Sequence, residues 1–148
     1  MALEGACPCC APITKPAILT SLPAFQERLG ACAAYHGIEP SRAEGLSLAF
    51  EEVFVNICRH AYPEDAGEAT LTCQADAECF VIEITDSGPP FDPSSVPEPD
   101  LTGDLDARPL GGLGWFLIRR LADEFECCRW EGRNVVRLVL HRHRGGRA

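Results

Sequence analysis

The sequence predicts an α+β fold, a two-layer sandwich with helices on one face of a mostly antiparallel sheet. Three observations predict it. Helical periodicity fills the stretch from Pro23 to His60, alternating strand pairs lie at 68–85 and 125–141, and one more helix, Leu113 to Glu124, separates the pairs. Each strand pair has one apolar face to bury, and the helices are the elements that can cover it.

Residues 1–16 are rich in Cys, Pro and Ala without periodicity and read as a loose N-terminal segment ahead of one domain, 17–142, and a basic tail, 143–148. Ile18 to Leu22 reads as an edge strand. Phe25, Leu29 and Cys32 mark a helix over 23–35 that stops near Gly37. Ser41 reads as an N-cap with Glu44 three residues on, a capping box opening a long helix to about His60, which Tyr62-Pro63 ends. The strands 68–74 and 79–85 flank a turn at Ala75-Asp76-Ala77-Glu78. Asp86 to Gly112 is dense in Pro, Gly and Asp and carries no period, and loops of that length are usually functional or disordered. Leu113, Leu117, Ile118 and Leu121 share one side of the next helix. The last hairpin, 125–130 and 135–141, turns across Glu131-Gly132-Arg133-Asn134.

Composition narrows the function. With 148 residues, 46% hydrophobic and 24% charged, the chain suits one globular domain. No apolar run can span a bilayer, and the N-terminus lacks the basic and apolar regions of a secretory signal, so a cytoplasmic location without membrane is expected. A net charge of −9 argues against direct nucleic-acid binding. The charge is uneven: six Arg against one Glu from Arg129 to Ala148, and six acids against Arg108 between Asp86 and Arg108. Both runs read as solvated surface. The nine cysteines include Cys7, Cys9 and Cys10, too close together to chelate one tetrahedral ion unaided, and the odd count favours reduced thiols. A metal site at that cluster stays open as a minor alternative.

Three motifs carry chemistry. On the helix LSLAFEEVFVNICRHAY, Leu46, Phe50, Val53 and Ile57 form a buried stripe, while Glu52, Asn56 and His60 recur every four residues along another face. Such a row can hold a hydrated cation and orient a hydroxyl; a solvent-facing polar stripe meets the same spacing. Asn competes for backbone bonds in a helix interior, so its presence there hints at a task. Second, the strand VIEIT runs into Asp86-Ser87-Gly88, where Asp can accept from a ligand amino group and Gly permits close approach; a plain turn uses the same residues. Third, Gly111, Gly112 and Gly114 lead into a helix, where amides and the helix dipole favour an anion, although neither a P-loop nor a GxGxxG pattern is present.

Together, in this order and spacing, the motifs resemble the GHKL (Bergerat-fold) ATPases. Within them, EEVFVNICRHAY, DSGPPFDP and GGLGWFLIRRLADEFE are similar to the RsbW-type anti-sigma factor serine kinases, over roughly residues 20–142. The resemblance implies ATP and Mg2+ as cofactors. It implies that Asn56 coordinates the metal, that Glu52 is the general base for a substrate serine, and that Asp86 binds the adenine amino group beside Gly88. Gly112, Leu113 and Gly114 would close an ATP lid and contact phosphates, and His60 would have a supporting or a structural role. Transfer in such enzymes is mostly positioning and charge neutralisation.

Some residues depart from the pattern. Pro89-Pro90 stiffens the lid's entry, the lid itself lacks lysine, and Glu51 adjoins Glu52, whose spacing to Asn56 selects it as the base. Neither a phospho-acceptor dimerisation helix nor a transducer domain is expected around the domain. The resemblance also implies partners: a STAS-domain anti-anti-sigma factor as the substrate, a sigma factor or other regulator, and a second copy in a homodimer. The alternative function is an ATP/ADP-binding interaction module without phosphotransfer.

Overall fold

The computed structural model describes residues 11–61, 67–90 and 114–142; the side chains of residues 60, 61 and 114–116 lie outside that description. Five strands, β1 (Ile13–Pro16), β2 (Glu68–Ala75), β3 (Cys79–Asp86), β4 (Glu124–Trp130) and β5 (Arg133–His141), form one sheet in the order β1-β2-β3-β5-β4. Every neighbouring pair is antiparallel. The helices are α1 (Leu22–Tyr35), α2 (Pro40–Asn56) and α3 (Gly114–Leu121), and a π-helical turn, Ile57–Ala61, extends α2. This is the α+β sandwich that the sequence predicts.

Strand alternation decides which face the helices cover. Leu71 and Cys73 of β2, Phe80, Ile82 and Ile84 of β3, and Val136, Leu138 and Leu140 of β5 are all buried in one core with Phe25, Leu29, Phe50, Val53 and Phe54. Phe25 of α1 lies 5.1 Å from Phe54 and 5.7 Å from Phe50, ring centre to ring centre, so three aromatic rings lock the two helices together. Leu121 approaches within 3.2 Å of where a Cβ on Gly45 would stand, and Arg42 bonds Asp123 at 2.8 Å. Thus α3 runs toward the N-terminal part of α2, with Ile118 fully buried.

Several boundaries differ from the sequence reading. The edge strand is Ile13–Pro16, not Ile18–Leu22, which begins a 3-10 turn (Leu19–Ser21) leading into α1. β1 is mostly exposed and pairs with β2 through Thr14 and Thr70, so its apolar signal is faint. Ser41 is not an N-cap: α2 starts at Pro40 with Glu39 before it and no side-chain cap bond. Pro at the first helical position costs no hydrogen bond there and its φ is already helical, which outweighs the capping box. That helix ends as α-helix at Asn56 rather than His60. α3 stops at Leu121 because Glu124 already belongs to β4.

The last hairpin has a two-residue turn, not four. Glu131 and Gly132 have φ of +52° and +77°, the positive pair that a type I′ turn requires, and Arg133 and Asn134 are already in β5. The Arg-rich run is not uniformly solvated surface either. Arg137 makes two hydrogen bonds to Glu83 Oε2, and Arg142 donates to the carbonyls of Asp76 and His36.

Two glycine substitutions separate backbone strain from helix propensity. Gly132→Ala forces a Cβ into the left-handed region and should destabilise the fold by about 1 kcal/mol. Gly30→Ala, in the exposed middle of α1 where a Cβ meets nothing within 4 Å, should stabilise it by about 0.5–1 kcal/mol. Urea unfolding midpoints with unchanged slopes check both.

Candidate functional site

α2 carries two stripes with different duties. Leu46, Phe50, Val53 and Phe54 face the core, which fixes the helix's rotation and leaves Glu52 half-buried beside it. Asn56 is only 6% exposed, and its Nδ2 donates to the Glu52 carbonyl at 2.9 Å. This bond occupies the amide nitrogen and leaves Oδ1 as the group's ligand atom. The helix then widens into its π turn at Ile57, a distortion frequent at functional sites. The row Glu52–Asn56 therefore sits at the helix end; His60 lies in the turn, its side chain outside the description.

The two adjacent glutamates are in unlike settings. Glu51 accepts a long bond, 3.4 Å, from Gln26 Nε2 of α1. Glu52 holds its proton to higher pH than an ordinary carboxyl, first because burial disfavours the charge and then because Glu51 repels it, while Arg59 partly offsets both. Burial also pushes the Cys58 thiol up to about 11, so it is protonated at neutral pH.

The end of β3 forms the second part. Asp86 shares the core-facing side with Phe80, Ile82 and Ile84 and is 5% exposed. Its Oδ1 accepts from the Gly88 N–H at 2.8 Å, closing the turn after the strand. The same oxygen accepts from Asn134 Nδ2 at 3.1 Å, and Asn134 is the residue opposite Asp86 in the β3–β5 register. Asn134 Nδ2 also donates to the Pro89 carbonyl at 2.9 Å. Arg129, opposite Asn134 on β4, donates through Nη1 to Asn134 Oδ1 at 3.1 Å and to the Gly88 carbonyl at 2.7 Å. Asp86, Asn134 and Arg129 thus make one polar row across three strands.

The two parts are linked through β2, which follows α2 in the chain and pairs with β3 in the sheet. β2 opens at Glu68, twelve residues after Asn56, and Ala69 pairs with Asp86. Gly114 opens α3, and α3 packs along α2. Gly112, Leu113, Arg108 and the acidic stretch from Phe91 to Gly111 lie outside the described residues, as do Cys7, Cys9 and Cys10. Asn134 and Arg129 are the functional candidates that the sequence reading missed. Asn134 alternates in phase with Val136, Leu138 and Leu140, and that phase was the available signal.

A divalent cation would find one hard oxygen, Asn56 Oδ1, in a nearly buried place. Among the described residues no group of three or more His, Cys, Asp and Glu could hold a metal. One amide oxygen with water and phosphate oxygens is a donor set that suits Mg2+, which keeps much of its hydration. No helix among the described residues is long and apolar enough to cross a membrane.

Comparison with known proteins gives the chain a family and a fold. The histidine kinase-like ATPase domain family matches residues 16–140. A serine-protein kinase RsbW of Bacillus cereus (strain G9842) is 33% identical over 97 residues, 63% of this chain and 61% of that protein. Its namesake in Bacillus mycoides (strain KBAB4) is 32% identical over the same length. The chain thus spans about three-fifths of the length of the curated relatives it matches. Among solved structures, the RsbU and RsbW domains of Rv1364c from Mycobacterium tuberculosis align with a TM-score of 0.57 at 15% identity, covering 88% of this chain and 32% of that one. At that identity the likeness is one of fold.

The raised Glu52 proton affinity has a stability consequence. A carboxyl that binds its proton more tightly in the folded than in the unfolded state contributes stability below its unfolded pKa, and that contribution is lost as pH rises through the folded value. Glu52→Gln, neutral at every pH, should therefore unfold at a higher temperature than the wild type at pH 8. The gap should shrink as pH falls toward the ordinary Glu range. Thermal unfolding at pH 4, 6 and 8 checks it.

Proposed function

We propose that this chain, which belongs to the histidine kinase-like ATPase domain family, binds Mg-ATP and transfers its γ-phosphoryl group to a serine of a small regulatory protein. The observation that carries the reading is the pairing of a nearly buried Asn56, oriented by the Glu52 carbonyl, with a buried Asp86 presented at a strand end. One group suits a hydrated cation and the other an exocyclic amine.

Each residue has a task. Asp86 accepts a hydrogen bond from the 6-amino group of adenine. Gly88, buried next to it, leaves the base room to approach the backbone. Asn56 would hold Mg2+ through Oδ1, and the ion would supply charge neutralisation to the nucleotide's phosphates. Gly112, Leu113 and Gly114 would contact phosphate ahead of α3, with His60 in a supporting role. Glu52 takes the proton of the substrate hydroxyl. Its raised proton affinity makes it a stronger base than an ordinary carboxylate, once deprotonated, and so better matched to a serine hydroxyl.

Relatives named serine-protein kinase RsbW support the transfer and the serine acceptor. By the same likeness we propose a STAS-domain anti-anti-sigma factor as the substrate and a sigma factor as a second partner, with exchange governed by nucleotide and phosphorylation, and a homodimer as the working state. Residues 17–142, with β1 ahead of them, would form the kinase domain and 143–148 a basic tail. A cytoplasmic setting follows from that role.

Calorimetry with Mg-ATP tests the site. The wild type should bind, and both Asn56→Ala and Asp86→Ala should weaken binding by about tenfold or more, the loss expected for one hydrogen bond to a charged group. For Asn56→Ala the loss should depend on Mg2+. A folded wild type that binds no nucleotide overturns the reading. Transfer of labelled phosphate to a STAS-domain protein then separates kinase from binder: Glu52→Ala should abolish transfer while nucleotide still binds, and retained transfer would remove Glu52 as the base.

A further inference from the structure

The polar row does not end at Asp86. We infer that Arg129, on the edge strand β4, is a positioning residue that sets the preference for an amino-bearing over an oxo-bearing purine. This inference rests on the reading of Asp86 as the carboxylate that receives the base.

Base preference depends on which oxygen Asp86 offers and on how firmly that oxygen is held. Among the described residues, both hydrogen bonds to the Asp86 side chain end on Oδ1, one from the Gly88 N–H and one from Asn134 Nδ2. Oδ2 is then the oxygen left for a ligand, and it can only accept. A 6-amino group donates to it. A 6-oxo group sets acceptor against acceptor, and a site built around a hydrogen bond rejects the analogue that cannot make it.

Arg129 governs the Asn134 contact. Asn134 Nδ2 has a choice of acceptors: the Pro89 carbonyl at 2.9 Å is nearer than Asp86 Oδ1 at 3.1 Å, and the Gly88 carbonyl stands at 3.5 Å. Its two hydrogens can serve two of these acceptors at once, and the amide stays free to turn among them unless its oxygen is held too. Arg129 Nη1 prevents that turning from the other side. It pins Asn134 Oδ1 at 3.1 Å and the Gly88 carbonyl at 2.7 Å, so the amide is held at both ends and the segment after the strand is held with it. A guanidinium on the amide oxygen also polarises the amide and strengthens its N–H as a donor to the carboxylate. The row runs cation, amide, anion, across residues directly opposite one another in β4, β5 and β3. A surface arginine thereby reaches a buried carboxylate.

Calorimetry with ATP and with inosine triphosphate, both as Mg2+ complexes, tests this on the full chain. The wild type should prefer ATP. Arg129→Ala should lower the ATP-over-inosine preference about tenfold, the scale of one charge-assisted hydrogen bond. Arg129→Lys, which keeps a cation on a shorter side chain, should fall between the two; it also decides the matter, by a preference below wild type, if the Ala variant does not fold by circular dichroism. A preference unchanged in both variants, including equal weakening of both nucleotides, overturns the role of Arg129 alone. A folded wild type that binds neither nucleotide overturns the base-binding reading of Asp86, and this inference with it.

Discussion

Placing a carboxylate at the end of an apolar sheet face is the constraint on which the site depends. Burying an ion without partners costs several kcal/mol, so Asp86 can sit at 5% exposure only if donors meet it there. Two do, and one of them, Asn134, is available only because β5 is in register. The turn at Glu131-Gly132 sets the β4–β5 register that puts Arg129 opposite Asn134, while the β3–β5 pairing puts Asn134 opposite Asp86. A slip of one residue would send Asn134 to the open face and leave Asp86 opposite a Val or Arg. The positive φ of Gly132 thus reaches Asp86 on another strand through the Arg129–Asn134 contact that the turn puts in place.

The helix solves a different problem with the same economy. Phe50 and Phe54 stack at 5.8 Å and press on Phe25, which fixes α2 in rotation. Once that stripe is buried, Glu52 and Asn56 have no choice of direction. Asn56 then takes its own helix's carbonyl with its amide nitrogen, a bond that would weaken a helix interior but suits a helix that is about to open into a π turn. The poor helix former stands where the helix changes form.

Much of this was legible in the sequence. The stripe Leu46, Phe50, Val53, Ile57 and the alternation of β3 gave the layers, because burial imposes periods of 3.6 and 2 that side chains cannot hide. Glu52, Asn56, Asp86 and Gly88 were legible as a combination, each weak alone. What was not legible had a common cause. Ser41 lost to Pro40, and Asn134 was assigned to a turn it only follows, because local residue preferences compete and a single sequence does not say which wins. Arg129 was read as one charge in a basic run. Its role comes from facing Asn134 across a hairpin whose turn is two residues and not the four that the sequence suggests, and that difference decides which residues stand opposite one another.

The two parts of the site differ in how much of their order is built in. At the sheet end, register and six hydrogen bonds among Asp86, Gly88, Pro89, Asn134 and Arg129 fix the groups before any ligand arrives. At the helix end, α2 supplies one amide oxygen and one carboxyl, and a metal held there would have to draw its remaining ligands from elsewhere. Preorganised donors and acceptors give selectivity without a further ordering cost, whereas a site completed by its ligand responds to that ligand's charge and length. Under the proposed function, such a division would let the sheet select the base while the helix end is completed by the metal and the phosphates it carries.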